Sequence, residues 1–360
     1  MRKTIIYIFI LALLGFSVYF FLFRGNKPTY DDKEAGFTIK DTAILGKIFL
    51  AGPAGQTILL ERTDSGWMLN KKYKVLASTL HEMMMTMNQQ EALYPVTTAA
   101  HDAAIKQLSA DGVKVELYGR DGHKLKAFYV GGIAPNNTGT NMLMEGAKEP
   151  YVVHIQGFNG YLSPRYPVRL TDWRDRTVFN IPAAEIKTIS VQYKDNPTNS
   201  FVVNKEGDSV TISADAGIVH GLEGFNPKRA HSYTTFFTNV NCEGYLNGLS
   251  DMDTTLKTAP MQSVVEVTGI HGQHQKADMY WMALNKRSKN IQSTNVDVPD
   301  DYDADRLYAV INNNQDTVMI QRFAFNKIFR KAFEFYMQSD SSHSQQRVAP
   351  PRLKGLYKKL

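Results

Sequence analysis

GVKVELYGRDGHKLKAFYVGG, residues 112–132, decides the fold of this 360-residue chain. Val113, Val115 and Leu117 alternate with Lys114, Glu116 and Tyr118; Asp121-Gly122 supplies a reversal, and Lys124–Val130 alternates again. Period two on both sides of an Asp-Gly turn marks a half-exposed antiparallel hairpin. Ser263–Thr268 and Lys276–Leu284, split by Gly269–Gln275, read as a second hairpin of the same kind.

The flanks of the two hairpins repeat as well. Before the first come Gly46–Leu50 and Thr57–Glu61, parted by Ala51-Gly52-Pro53-Ala54-Gly55, then Trp67–Asn70 after a Thr63–Gly66 turn. Helical spacing follows over Val75–Gln90, with Leu76, Leu80, Met83, Met84 and Met87 on one side, and a second helix over Ala99–Ser109. Tyr151–Ile155 is a later strand. Before the second hairpin come Ile186–Tyr193, Ser200–Lys205 and Asp208–Ile212, then a helical stretch over Lys228–Leu249 broken at Gly244. Leu307–Asn312 and Thr317–Phe323 close the second pass, and Phe323–Tyr336 reads as a final helix. The expected fold is α+β, with an N-terminal transmembrane helix ahead of two similar lobes. Each lobe is a mostly antiparallel sheet with packed helices, an internal duplication. The expected divisions are an anchor over 1–27, a spacer over 28–40, a first lobe over 41–165, a connector over 166–184, a second lobe over 185–336 and a disordered basic tail over 337–360.

Thr4–Phe23 is an uncharged run rich in Ile, Leu and Phe between Arg2-Lys3 and Arg24. Roughly 20 such residues cross the hydrocarbon core as a helix. Phe20-Phe21-Leu22-Phe23-Arg24 is bulky where a signal peptidase requires small side chains, and no lipid-attachment cysteine follows, so an uncleaved signal anchor is expected. The size of the following chain and its acidic start at Asp31-Asp32 place the N-terminus in the cytoplasm and the body in the periplasm of a bacterial inner membrane.

The formal charge of +6 is unevenly spread. Arg2, Lys3, Arg24 and Lys27 give residues 1–27 a charge of +4, and Arg347, Arg352, Lys354, Lys358 and Lys359 give residues 347–360 a charge of +5. Residues 28–346 are left at −3, so a nucleic-acid groove is not expected. The basic ends fit membrane lipid, through the N-terminal helix and the tail, with a solvated tail without a partner as the alternative. Cys242 is the single cysteine, which excludes an intrachain disulfide and reads as a buried apolar side chain.

No motif carries a recognisable chemistry. Asp301-x-Asp303-x-Asp305 starts like a calcium loop, but Arg306 and Asn312 stand where that loop needs Gly and Glu, so a solvated loop is expected. His271 and His274 fall at a hairpin tip, and His81-Glu82 lacks the second His because position 85 is Met85. The methionines of Met83-Met84-Met85 and Met87 read as core, with an adaptable binding face as the alternative. No catalytic, metal or cofactor residue is assigned and no cofactor is expected. Two segments are candidates for interaction. One is the turn-rich loop with Asn136, Asn137 and Thr138, on the rule that loops on a rigid sheet carry binding. The other is the connector with Trp173, Arg174 and Arg176, where a salt-bridged structural role competes with a ligand.

Tyr129-Val130-Gly131-Gly132, Thr138-Gly139-Thr140-Asn141-Met142, Tyr151–Phe158, Gly160–Tyr166 and Asp172-Trp173-Arg174-Asp175-Arg176 form a series, with Asp303–Ala309 a second stretch of the pattern. The series resembles a Bacteroidetes family catalogued as domain of unknown function 4340. The resemblance implies a membrane-anchored, exported protein without assigned activity, some relatives accompanying gliding-type or ABC-exporter machines. It supplies no catalytic residue. The expected function is a non-enzymatic binding or scaffold component with a protein partner in the cell envelope. The alternatives are an accessory subunit of an ABC-type exporter or gliding-type machine, and a hydrolase with concealed carboxylate pairs.

Overall fold

A computed structural model describes Leu13, Leu14, Phe16 and residues 32–214, 224–290 and 298–336. The expected membrane anchor (those three helical residues apart) and the basic tail lie outside the described residues, as does Asp297, which opens the acidic cluster continued by Asp300, Asp301, Asp303 and Asp305. No helix among the described residues is long and apolar enough to cross a membrane. The chain divides into two compact units, residues 1–175 and 176–360.

In the first unit α1 (Asp32–Ala35) leads to β1 (Leu45–Ala51), β2 (Thr57–Thr63), β3 (Gly66–Leu69) and β4 (Tyr73–Lys74). Helix α2 (Ala77–Gln89), β5 (Gln90–Pro95) and α3 (Thr98–Asp111) follow, then β6 (Val113–Gly119), β7 (Lys124–Ile133), β8 (Thr140–Met144), β9 (Tyr151–Ile155) and α4 (Leu170–Trp173). The strands form one antiparallel sheet in the order β4-β3-β2-β1-β6-β7-β8-β9-β5. Alternation sends Ile48, Leu50, Val115, Leu117, Phe128, Val130 and Val153 to one face, where Met83 and Met87 of α2 and Leu162, Tyr166 and Trp173 complete the core.

The second unit contains β10 (Thr177–Phe179), β11 (Ile186–Tyr193), β12 (Phe201–Glu206), β13 (Ser209–Ala214) and α5 (Pro227–Thr234). Then come β14 (Val240–Asn241), β15 (Gly244–Tyr245), α6 (Met252–Thr258), β16 (Met261–Gly269), β17 (His274–Ala283), β18 (Tyr302–Ile311), β19 (Asp316–Gln321) and α7 (Arg322–Phe325). The main sheet is again antiparallel, in the order β13-β12-β11-β16-β17-β18-β19-β15, while β10 and β14 pair apart from it. Its core face carries Ile189, Val191, Phe201, Val203, Val265, Val267, Met279, Leu307 and Ile320. Tyr233 of α5, Phe237, Phe325, Ile328 and Phe335 pack against it.

Placed strand over strand, the two orders coincide. The sequence β3-β2-β1-β6-β7-β8-β9-β5 maps onto β13-β12-β11-β16-β17-β18-β19-β15, and only β4 has no counterpart. Detail follows suit. Both central hairpins close through Gly-x-x-Gly: Gly119 N–H donates to His123 and Gly122 N–H to Gly119, while Gly269 N–H donates to Gln273 and Gly272 N–H to Gly269. Gly122 and Gly272 take left-handed φ values of 84° and 79°, which side chains resist and glycine permits. Each hairpin is preceded by a strand with a register shift at the equivalent place, between Leu45 and Lys47 and between Ile186 and Thr188.

Several expectations need correction. Within the expected spacer, Phe37 and Ile39 are buried in the first core, Phe37 edge-on to Phe128 at 6.0 Å. The helix expected over Lys228–Leu249 ends by Phe237. Beyond it Val240–Asn241 and Gly244–Tyr245 are strands, whose pairing depends on residues 60 to 80 positions away. Phe323–Tyr336 is a helical turn, a bend and a 3-10 turn (Ala332–Phe335) wrapped on the core. β5 and β8 were not expected. Asp303 lies in a strand rather than a solvated loop: it is fully buried and accepts from Arg287 (2.6 Å) and from the N–H groups of Asp305 (2.9 Å) and Arg306 (3.2 Å). Met83 and Met87 are core, and Cys242 is buried.

Candidate functional site

The 131–139 stretch is shaped by close packing. β7 ends in Gly131-Gly132-Ile133, and α3 lies over the two glycines. A Cβ on Gly131 would come within 2.8 Å of Leu108 and 2.9 Å of the Asn141 carbonyl, and one on Gly132 within 2.3 Å of Gln107. The glycines therefore let a helix approach the sheet closely. Ser163 donates to the Gly131 carbonyl, and Thr140 accepts from Leu162 N–H at 2.6 Å, which fixes the later connector to the same strands.

The loop that follows is held at both ends. Ala134 N–H donates to Gly139 at 2.8 Å, and Asn137 N–H to Ala134 at 3.2 Å, with Asn137 at a left-handed φ of 56°. Asn136 lies in the 3-10 turn Pro135–Asn137. Asn137 and Thr138 are exposed, and the Thr138 hydroxyl is 3.0 Å from the Tyr94 hydroxyl on β5. Tyr94 and Ile133 are themselves exposed beside the loop, so it presents amide and hydroxyl groups next to apolar surface.

The other candidates sit elsewhere. Trp173 is fully buried, and its indole N–H donates to the Pro167 carbonyl at 2.6 Å. Arg174 is buried with its guanidinium 4.0 Å from the Tyr73 ring centroid, and its backbone bridges to Val75. Both close the β4 side of the first unit, whereas the 134–139 loop joins strands toward the β5 edge. Arg176 opens the second unit half-buried, its carbonyl accepting from Cys242 N–H at 2.8 Å. The structure thus joins Thr138 with Tyr94, and turns Trp173 and Arg174 inward.

A charged cluster escaped the sequence reading. Lys114 lies 2.7 Å from Glu116 and 2.9 Å from Glu145, Lys124 lies 2.6 Å from Glu145, and the Tyr118 hydroxyl donates to Glu116 at 2.8 Å. Lys124 and Glu145 also line an open cavity of about 580 Å³ with Lys33, Glu34 and Lys126. Lysine alternating with Glu across strands is the ordinary signature of an exposed sheet face, which is why it drew no notice. Hydrogen bonds from Lys124 and Lys114 lower the Glu145 pKa, the Lys114 bond lowers that of Glu116, and the two carboxylates raise that of Lys114. A general acid needs a carboxyl raised toward neutrality. Both carboxyls here move the other way, so the cluster is a clamp between β6, β7 and the turn after β8. The carboxylate pKa values are lowered from 4.5, so the clamp stabilises the fold above that pH and fades as acid titrates them through their folded values. Glu145→Gln is expected to cost about 0.5 kcal/mol at neutral pH, the scale of a partly exposed pair, and to flatten the acid limb of stability in urea titrations from pH 7 to 3. An unchanged acid limb would exclude the clamp.

Among the described residues no group of three or more His, Cys, Asp or Glu side chains is placed to hold a metal ion. His271 is in the β16–β17 turn and His274 begins β17, both exposed. Asp303 and Asp305 straddle Arg287, at 2.6 and 3.1 Å, pinning the 285–288 turn to β18.

No curated protein and no solved structure matches the chain. One family model does, over residues 67–260, more than half of the length, from within β3 to just before β16. This chain belongs to the family described as a domain of unknown function, DUF4340.

Proposed function

We propose that this protein is a single-pass, membrane-anchored component of the bacterial cell envelope. Its exported body binds another envelope protein and carries out no chemistry of its own. The observation that carries the binding role is the 134–139 loop, where exposed Asn137 and Thr138 stand beside Tyr94 and Ile133 on a rigid sheet. The ionisable clusters support the same reading, since Lys114, Glu116, Lys124 and Glu145 are spent on one another, as are Arg287, Asp303 and Asp305. The anchor rests on Thr4–Phe23, an uncharged apolar run long enough to cross the hydrocarbon core. The matching strand orders support an origin by duplication.

A photo-crosslinking residue at Thr138, in cells making the full chain, is expected to trap one envelope protein reproducibly. The same residue at exposed Asp64, in the β2–β3 turn, is expected to trap none. Equal or absent adducts at the two positions would refute the binding loop. Alkaline carbonate should leave the protein in the membrane pellet, and a C-terminal phosphatase fusion should be active. Release into the soluble fraction would refute the anchor.

A further inference from the structure

α3 starts just after β5 ends, and the joint between them is tied to the stretch ahead of β9. Val96 N–H donates to the Pro150 carbonyl at 2.8 Å. Further on, in the first turn of α3, His101 reaches the same stretch. Its Nε2 is 3.2 Å from the Lys148 carbonyl oxygen and 3.8 Å from Glu149 Oε2, and its Nδ1 is 3.1 Å from Asp102 Oδ1. The ring is partly covered, with 28% of the side chain exposed.

Among the described residues the groups bonded to this ring are all acceptors. A carbonyl and a carboxylate offer lone pairs and no proton, whereas a neutral imidazole has one N–H and one bare nitrogen. Whichever tautomer forms, one ring nitrogen then stands lone pair against lone pair. Only the imidazolium, with two N–H groups, satisfies both contacts. Asp102 on α3 and Glu149 ahead of β9 add negative charge, while the N-terminal end of α3 opposes a cation. Hydrogen bonds to Asp102 and to the Lys148 carbonyl raise the His101 pKa from its ordinary 6.5, against the smaller effect of burial, and the charges of Glu149 and Asp102 raise it further.

We infer that His101 is a proton-operated latch: charged, it fastens the first turn of α3 to the 148–150 stretch, and neutral, it lets that turn loosen. Because the folded pKa is raised, the fastening is complete below pH 6.5 and is lost as pH climbs through the raised value. What the latch governs follows from its neighbours. β5 carries Tyr94, which meets Thr138 at 3.0 Å, and α3 covers Gly131 and Gly132 at the entry to the 134–139 loop. Acid therefore stiffens the support of that loop, and alkali relaxes it. The latch does not depend on the loop's having a partner.

The test uses the full chain in detergent, with histidine NMR and with amide exchange at about pH 5 and about pH 8, intrinsic rates divided out. The His101 ring is expected to titrate above 6.5. Protection of the Val96 amide and of the amides over 102–106 is expected to be roughly two- to fivefold higher at the acid end, the size of a surface ion pair. His101→Gln keeps a polar side chain but cannot charge, and should remove that step. His154→Gln, on β9, breaks a different imidazole–carboxylate pair, 3.3 Å from Glu91 on β5, and should keep it. A ring that titrates at or below 6.5, equal protection at the two pH values, a step that survives His101→Gln, or one that vanishes with His154→Gln would each overturn the inference. None of these readouts involves the envelope partner, so failure of that proposal leaves the latch standing.

Discussion

Trp173→Ala will cost the first unit about 3–5 kcal/mol, the range for emptying a large aromatic site in a close-packed core. Trp173 is the largest fully buried side chain among the described residues. It stands where the connector returns to the helix, its carbonyl accepting from Leu76 N–H at 2.7 Å and its indole donating to Pro167. Alanine removes the packing and leaves the carbonyl of half-buried Pro167 without its indole donor, two losses in the same direction. Trp173→Phe keeps most of the volume and loses the donor, so about 1–3 kcal/mol is expected. Urea unfolding of the two variants, with amide exchange read on β1 and β6–β8, measures both. An alanine variant as stable as the parent would show that the connector is not part of the core.

The equivalent result in the second unit is a comparable loss, about 3–5 kcal/mol, for Tyr233→Ala. Tyr233 is 1% exposed and its ring meets Phe201, Phe237 and Phe335 at 5.7, 5.3 and 5.3 Å. Its hydroxyl donates to the Ile328 carbonyl at 2.7 Å, and burial pushes the phenol well above its ordinary pKa, so it stays protonated and remains a donor. Tyr193 donates in the same way to Arg330 at 2.9 Å. Two phenols thus hold the 328–330 stretch, whose own amides donate only to nearby Phe325 and Ile328. Tyr233→Phe should cost about 1 kcal/mol, a single hydrogen bond, and Tyr233→Ala should also raise the exchange rates of the amides over 325–335.

How much of this was readable in the residues depends on where each contact lies. The two central hairpins were legible because Asp121-Gly122 and Gly269–Gln275 interrupt clean period-two runs, and α2 because Leu80, Met83 and Met87 recur at helical spacing. β5 was hidden because Gln90–Pro95 follows α2 without a break. β8 was hidden because Gly139 and Asn141 resemble loop residues; their neighbours Val153 and Val152 decide otherwise. The run after Tyr233 misled because Phe236, Phe237 and Val240 continue a helical rhythm that serves a different purpose, packing a turn and an isolated strand pair. At the candidate site, the loop could be found from its turn residues, while its neighbour Tyr94 could not, being 44 positions from Thr138. The alternating charges around Trp173 point to salt bridges and stacking with a ligand role as the alternative, but not to the partner. Burial of Arg174 depends on the Tyr73 ring about a hundred residues earlier. Asp303 misled for the same reason, since its cation, Arg287, lies across a turn.

The place of β1 and β16 at the centre of their sheets has a practical consequence. The stretch that defines the family starts after β1 and β2 and stops before β16–β19, so a gene fragment trimmed to residues 67–260 would lack two of the nine strands of the first sheet and four of the eight of the second. β6 would lose its neighbour on one flank and β11 its neighbour on one flank, exposing long apolar strands with nothing to zip against. Such a fragment belongs in inclusion bodies, and soluble material for biophysics should be sought by cutting at the chain's own seam, between Asp175 and Arg176.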